Sequence, residues 1–208
     1  MKIGLISDVH ATVNPLREAL SIFHEEQVDL SLCAGDIAGY GNELAQTVAL
    51  LRESDCRVIT GNHDIWFLSS PAPSGTEWIE AYFSALPSVL EFTLAGKRLY
   101  LVHASPPDSN MKGIKLLDEH GNVLPARRAQ WTRNLDGFGY DVLIVGHTHQ
   151  VFAETLGRTL VINPGSTKFN HTCAILTLPE LKVSVYPLTN KAPLKVWNWR
   201  QMEKMYED

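Results

Sequence analysis

Val142-Leu143-Ile144-Val145-Gly146-His147-Thr148-His149 joins four consecutive apolar residues to a glycine and two histidines. This pattern predicts a buried strand that ends at a polar site. Neutral imidazole is the commonest metal ligand among side chains. Side chains two residues apart on a strand point the same way, so His147 and His149 would face one cavity if the chain stays extended. For an isolated His-x-His, two hydrogen-bonded loop histidines are the alternative.

The same design, an apolar strand followed by residues of ligand type, recurs along the chain. The runs 3–6, 28–33 and 57–60 alternate with helical patterns that begin at Asn14 and Asn42. This alternation predicts a parallel sheet with covering helices. The other predicted elements are hairpins 89–102, 150–162 and 174–186, helices 77–86 and 125–135, a strand over 141–145, and irregular segments 69–76 and 106–122. A tail from Pro193 is predicted to pack on the core as a helix, with a dimer contact as the alternative.

Composition describes an ordinary globular protein. The chain has 208 residues, 45% hydrophobic and 20% charged, which fits a single domain over residues 1–208. The formal charge of −5 argues against a basic face for long nucleic acids. Neither a signal-peptide region nor a run long enough to span a membrane is apparent. The three cysteines form no C-x-x-C pattern, and reduced thiols in the cytoplasm are the expectation.

The ends of the predicted strands collect polar residues of the types that bind metals. These residues are Asp8, His10, Asp36, Asn62, His63, His103, His147 and His149. In open α/β sheets, ligands bind outside the carboxyl ends of strands, so these side chains should converge. Histidines, carboxylates and one amide oxygen suit Mn, Fe, Co, Ni or Zn better than Mg or Ca. The donors are too many for one tetrahedral ion, whereas two metals that share a carboxylate fit them.

The order of these motifs resembles a known family. Asp8-x-His10, Gly35-Asp36 with Gly41, Gly61-Asn62-His63-Asp64, His103 and Gly146-His147-Thr148-His149 follow one another as in the calcineurin-like metallophosphoesterases. Length and the Gly35–Gly41 motif are most similar to the compact single-domain bacterial branch, the YfcE-like phosphodiesterases. The resemblance implies an α/β fold, a four-layer α/β/β/α sandwich with two mixed sheets. His103 is followed by Ala104 rather than by the family's usual glycine, so a different loop is expected there.

The resemblance also implies roles for these residues. It implies one metal held by Asp8, His10, Asp36 and His149, and a second held by Asp36, Asn62, His103 and His147. It implies hydrolysis of a small phosphodiester or phosphomonoester by in-line attack of a hydroxide that bridges two divalent transition ions, with Mn favoured over Fe, Ni and Zn. His63 would assist the leaving group, and Asp64 would orient His63 from behind.

Two other functions are compatible with the same fold. One is a non-catalytic scaffold, which the intact donor set and His63 argue against. The other is a DNA nuclease, which the acidic charge and the lack of an added DNA-binding domain argue against. Tyr40, Trp66 and the loop 106–112 are candidate walls of a substrate pocket, whereas His24, His120 and His171 are expected to have no role. No membrane partner is expected, and a homo-oligomer is left open.

Overall fold

We describe residues 1–70 and 75–197 of the chain in a computed structural model. The elements are β1 (Lys2–Ile6), α1 (Val13–Glu25), β2 (Leu30–Cys33), α2 (Leu44–Glu53), β3 (Arg57–Val58), α3 (Asn62–Leu68), α4 (Glu77–Ser84), β4 (Val89–Leu94), β5 (Lys97–Val102), α5 (Pro125–Asn134), β6 (Val142–Ile144), β7 (Val151–Leu156), β8 (Thr159–Pro164), β9 (Thr172–Thr177) and β10 (Lys182–Pro187).

Within the described residues, the strands form two mixed sheets of five strands each. Sheet A has the order β10-β9-β1-β2-β3, and sheet B has the order β4-β5-β6-β8-β7. The pairs β1–β2, β2–β3, β5–β6 and β6–β8 are parallel. The three predicted hairpins are confirmed as the antiparallel pairs β4–β5, β7–β8 and β9–β10.

Alternate residues along each central strand bury against different layers, because strand side chains point to opposite faces in turn. Ile3 and Leu5 of β1 pack between the sheets with Leu99 and Ile144. On the outer side of sheet A, the core is formed with the helices α1, α2 and α4.

The outer face of sheet B buries Leu143 and Val161 against α5 and the segment 114–117. The continuous apolar run before Gly146 therefore faces a core on both sides. The predicted α/β/β/α sandwich is confirmed. The expectation of one domain over residues 1–208 stays a prediction.

Helix α3 was not expected from the sequence. Strand β3 ends at Val58, and Gly61 is the N-cap of a helix that begins at Asn62. Helix α1 begins at Val13, ahead of the expected cap at Asn14, and α2 is capped by Glu43. Capping chemistry is local, and the tertiary packing around each loop moves the boundary by one or two residues.

The tail prediction was wrong over residues 193–197, which are not helical. Val196 instead forms a β-bridge with Gln150, and the backbone N–H of Trp197 donates to the carbonyl of His149 at 3.1 Å. This segment packs on the core as expected, but in an extended form. Trp199, Met202 and Met205 lie outside the described residues. Within the described residues, none of the helices is both long and apolar enough to cross a membrane.

Candidate metal centre

The carboxyl ends of five strands, three from sheet A and two from sheet B, lie at one edge of the sandwich. Asp8 follows β1, Asp36 follows β2, and Asn62 lies shortly after β3. From sheet B, His103 follows β5 and His147 follows β6. The structure brings together the eight residues that the sequence singled out and Asp64, nine candidate residues in all, as three overlapping groups of potential ligands and their neighbours.

The first group contains Asp8, His10 and His149. The Nε2 atoms of the two histidines are 3.2 Å apart, and Asp8 Oδ1 lies 3.2 Å from His149 Nε2. His10 Nδ1 lies 3.0 Å from the carbonyl oxygen of Ala38. A carbonyl oxygen only accepts, so Nδ1 carries the hydrogen and the Nε2 lone pair points into the group.

The second group contains Asp36, His103 and His147, with Asn62 among them. Asp36 Oδ2 lies 3.4 Å from His103 Nε2. Asn62 Oδ1 lies 3.1 Å from the same nitrogen and 2.9 Å from His147 Nδ1. The Nδ1–H of His103 donates to the carbonyl of Ala34 at 2.6 Å, so Nε2 is the nitrogen that faces the centre.

Asp36 connects the groups. It also forms a third group with His10 and His63, in which the ligand atoms lie within 4.8 Å of one another. The carboxylate of Asp36 therefore reaches residues on both sides of the centre, which is the arrangement that a shared ligand requires.

The donor atoms fit bound cations. Asp8 Oδ1 is buried and accepts no hydrogen bond within the described part of the chain. An unpaired buried carboxylate oxygen facing two ring nitrogens is costly without a cation between them. Hydrogen bonding alone would favour the reversed Asn62 amide, with its NH₂ facing the rings, whereas ligation requires the oxygen there. Imidazole, carboxylate and amide donors together suit divalent transition metals.

The backbone at the site departs from the extended form that the sequence suggested. His147 and His149 have φ values of 64° and 47°, in the left-handed region, so the simple same-side rule for a strand does not apply to them. As a result they point into different groups, His147 towards His103 and His149 towards Asp8. Asp8, His10 and Asp36 share this left-handed conformation.

The pKa values follow from burial and from the neighbouring charges. Burial outweighs the nearby carboxylates and lowers the pKa of His10 to about 4, so its ring is neutral near pH 7. Burial also lowers the pKa values of His63 and His147.

For His103 and Asp8, the effect of neighbouring charges on the pKa outweighs the effect of burial. Burial opposes the charge on His103, yet the Asp36 carboxylate raises the pKa of His103 to about 9, and a cation bound there has to displace that proton. Burial opposes the charge on Asp8 as well, but His149 and the other nearby imidazoles lower its pKa below the usual range.

Within the described residues, the Asp64 carboxylate forms its hydrogen bonds with backbone N–H groups rather than with the His63 ring. The role that the resemblance implied for Asp64 stays a prediction. The Asp64 carboxylate accepts hydrogen bonds from the backbone N–H groups of Asp36 (2.9 Å), Ala38 (2.8 Å) and Gly61 (2.9 Å). Asp64 is the third residue of α3, and a side chain there turns back to the helix start. It therefore holds the Asp36 loop. Burial and the charge of Asp36 raise the pKa of Asp64 to about 7.

His63 lies half-buried at the mouth of the centre. Its ring lies between those of Tyr40 and Trp66, with centroid distances of 4.6 and 4.7 Å. Sequence reasoning missed the contribution of Gly39. A Cβ there would lie 2.5 Å from His63 Nδ1, so only glycine leaves this space open. The signal was available in the tight Gly39-Tyr40-Gly41 turn.

Gln150, which directly follows the Gly146–His149 motif, also supports the site. Its side chain is buried and accepts hydrogen bonds from the N–H groups of Leu116 (2.8 Å) and Leu117 (3.0 Å). The same side chain donates to the carbonyl of Leu117 at 3.0 Å. These contacts tie the irregular segment 106–122 to the loop between β6 and β7 that carries His149.

Residues 163–166, at the end of β8 and directly after it, support the site from behind. The Asn163 amide donates to the carbonyl of Gly146 at 2.8 Å, and the Ser166 hydroxyl donates to the carbonyl of Asp8 at 2.6 Å. The ring of Phe169 stacks on His149 at 5.2 Å and on Trp197 at 3.9 Å.

The remaining histidines lie apart from the centre. His24 and His120 are exposed, and His171 belongs to none of the three groups. A surface cavity of about 840 Å³ lies near the start of β6, lined by residues 132–133, 135–141 and 157–159. None of the nine candidate residues lines this cavity. The candidate site is therefore identified by its donor atoms and not by the size of a cavity.

Comparison with known proteins identifies relatives of this chain. An uncharacterized protein of Methanocaldococcus jannaschii is 26% identical over 171 residues, which cover 78% of this chain and 68% of the relative. A phosphodiesterase of the same organism is 26% identical over 174 residues, covering 79% of this chain and 83% of the relative.

Solved structures share the fold at low sequence identity. A hypothetical protein of Pyrococcus horikoshii gives a TM-score of 0.71 at 17% identity, covering 99% of this chain and 92% of that protein. The E. coli phosphoesterase Yfce gives 0.55 at 19% identity, covering 91% and 100%. Vps29 of Entamoeba histolytica, solved in complex with zinc, gives 0.54 at 18% identity, covering 92% and 95%.

The sequence model of the calcineurin-like phosphoesterase superfamily domain matches residues 1–180. That match spans well over half of the 208 residues. The chain therefore belongs to the calcineurin-like phosphoesterase superfamily.

Proposed function

We propose that this chain is a dinuclear metal-dependent phosphoesterase that hydrolyses small phosphate esters, with diesters preferred over monoesters. The observation that carries the proposal is the pair of buried donor groups connected through Asp36. Family membership supports the reaction class. The preference for diesters rests on the likeness to a named phosphodiesterase.

Seven residues are proposed to hold the metals. One metal would be held by Asp8, His10, Asp36 and His149, and the other by Asp36, Asn62, His103 and His147. When bound, the two cations supply Lewis-acid chemistry that polarises the phosphoryl group and makes water a nucleophile near neutral pH. Manganese is the proposed native metal, with iron, nickel and zinc as alternatives that the same donors accept.

His63 is proposed to deliver a proton to the departing ester oxygen. Its ring is partly exposed beside the donor groups, where an ester oxygen that points away from them would arrive. The backbone N–H of His63 donates to Asp36 Oδ1 at 2.8 Å, which holds the start of α3 against the shared carboxylate. Asp64 is proposed as a positioning residue, since it holds the backbone of the Asp36 loop.

The proposal predicts different losses for two substitutions. Asp36→Asn should lose both bound metal and hydrolysis of bis(p-nitrophenyl) phosphate. His63→Ala should retain metal and lose about 10²–10⁴-fold in kcat on a diester with an alkyl leaving group. The loss of kcat that His63→Ala causes on the nitrophenyl diester should be smaller, because nitrophenolate departs with little need of a proton. Metal content is measured by elemental analysis of the purified, manganese-loaded variants.

The exposed His120→Ala variant is the control and should retain both properties. An His63→Ala variant with undiminished kcat on the alkyl ester, or without metal, contradicts this division of roles. Absence of hydrolysis of any ester with manganese, iron, nickel or zinc would favour the scaffold alternative.

A further inference from the structure

Two large aromatic side chains beside His63 remain substantially open to solvent. Tyr40 is 45% exposed and Trp66 is 49% exposed. Tyr40 lies in the loop after β2, and Trp66 lies one turn after His63 on α3. Exposed apolar rings that border a polar site mark binding surfaces more often than scattered surface aromatics do.

Both of these rings contact the ring of His63. The His63 ring makes a tilted contact with Tyr40 at an interplanar angle of 56° and an edge contact with Trp66 at 63°. No ring contact between Tyr40 and Trp66 themselves occurs within the described residues. The three rings thus form one aromatic edge, with His63 in the middle.

The position of Tyr40 and Trp66 beside His63 determines which part of a bound substrate these two rings would contact. If His63 protonates the departing oxygen, the group attached to that oxygen lies beside His63, against Tyr40 or Trp66. A flat aromatic ring gains most from such a surface, because stacked or edge-to-face ring contacts add to the burial of apolar area. Stacking of a nucleobase on an aromatic side chain is favourable for every base.

We propose that Tyr40 and Trp66 form a subsite for a flat aromatic ring, of nucleobase size, carried by the departing group of the ester. The proposal rests on the proposed function, and it names the class of ester that the site accepts. In the hydrolysis, a bond forms between the water oxygen and phosphorus, and the bond from phosphorus to the departing oxygen breaks. The attacking water gives up a proton, the departing oxygen takes a proton from the imidazolium form of His63, and the alcohol that carries the aromatic ring leaves.

Two methyl phosphodiesters test this subsite. One is the methyl ester of thymidine 5′-phosphate, and the other is the same ester with hydrogen in place of the base. Both have the same 5′-oxygen as a leaving group, so they differ only in the ring. The manganese-loaded protein should hydrolyse the thymidine ester with a kcat/KM about tenfold higher. The products should be thymidine and methyl phosphate.

Substitution of Trp66 separates ring contact from other effects. Trp66→Leu should lower the ratio of the two kcat/KM values from about tenfold towards one. Trp66→Phe should retain most of the ratio, because it keeps a ring. Trp78→Leu is the matched control, since Trp78 is an exposed tryptophan on the neighbouring helix α4, and its ratio should equal that of the unaltered protein.

Binding is measured without turnover by saturation-transfer NMR on thymidine. Transfer should be stronger to the base protons than to the sugar protons, and Trp66→Leu should abolish this difference. A ratio near one in the unaltered protein, an unchanged ratio in Trp66→Leu, or thymidine 5′-phosphate and methanol as the main products would overturn the inference while the proposed function stands. Hydrolysis of neither ester with any of the four metals would overturn both.

Discussion

At the scale of single residues, the candidate centre depends on backbone conformations that L-amino acids adopt at a cost. Five of the proposed ligands have positive φ values: Asp8, His10, Asp36, His147 and His149. Each such residue costs roughly 1–2 kcal/mol relative to ordinary backbone, although Asp and His tolerate the region better than most. The cost is consistent with function, because this conformation turns each side chain off its strand and into the centre.

Gly39 provides a prediction at this scale. Gly39→Ala should place a Cβ 2.5 Å from His63 Nδ1 at a backbone φ of +94°, and so displace the ring. Misplacement of a catalytic group by about 1 Å costs about 10²-fold, so kcat on an alkyl diester should fall by roughly that factor. Metal content should stay unchanged, since the His63 ring is not among the proposed ligands.

Gly96→Ala is the matched control for this substitution. Gly96 also has a positive φ of +75°, but a Cβ there meets nothing within 4 Å. It should therefore lose some stability and no activity. Equal kcat values for Gly39→Ala and Gly96→Ala would show that the ring of His63 does not depend on this glycine.

At the scale of elements, the irregular segment 106–122 covers part of the outer face of sheet B, where a second helix could have packed. Ile114, Leu116 and Leu117 bury their side chains on the outer face of that sheet. A Cβ at Gly113 would lie 2.7 Å from the His147 ring, so this segment also borders a proposed ligand. Because it has no internal ladder of hydrogen bonds, its backbone groups need partners elsewhere.

The side chain of Gln150 supplies those partners, and its removal is a test. Gln150→Ala should lower the free energy of unfolding by about 2–3 kcal/mol, because buried N–H and carbonyl groups lose their bonds. Hydrogen exchange should quicken at the amides of Leu116 and Leu117. The exposed Gln130→Ala variant on α5 should change stability by less than about 0.5 kcal/mol. Unchanged exchange at both amides in Gln150→Ala would contradict this account.

At the scale of the whole molecule, the candidate centre lies where the two sheets meet. Asp8 and Asp36 come from sheet A, whereas His103 and His147 come from sheet B. The N–H of His147 donates to Asp8 Oδ2 at 3.0 Å, so the sheets already contact each other there. Bound cations would add bonds across this junction and relieve the repulsion between two buried carboxylates.

Metal removal should therefore destabilise the fold. Manganese at about 100 times its Kd should stabilise the native state by about 2.7 kcal/mol, which corresponds to a rise in Tm of roughly 5–10 °C for a chain of this size. The measurement is thermal unfolding of chelator-treated protein with and without manganese. The rise should vanish in Asp36→Asn. An equal Tm with and without manganese in the unaltered protein would argue against ligands that span both sheets.

The residue pattern by itself predicted the α/β alternation, the hairpins and the identity of the clustered residues, whereas the two-sheet sandwich was implied by the resemblance of the motifs to a known family. The pattern succeeded because apolar periodicity is a local signal, and because the ends of parallel strands must share one edge of a sheet. The ligands lie within a few residues of the strand ends, as His147 lies three positions after Ile144. These patterns can be recognised in short stretches of consecutive residues.

The tertiary structure alone decided which donors face one another and what holds them. The pairing of His149 with Asp8 and of His147 with His103 depends on left-handed backbone turns that no strand pattern predicts. The contacts of Asp64 with the Asp36 loop join residues 28 positions apart. Such contacts depend on how two sheets and their loops pack, and packing is a property of the folded chain rather than of any short stretch of it.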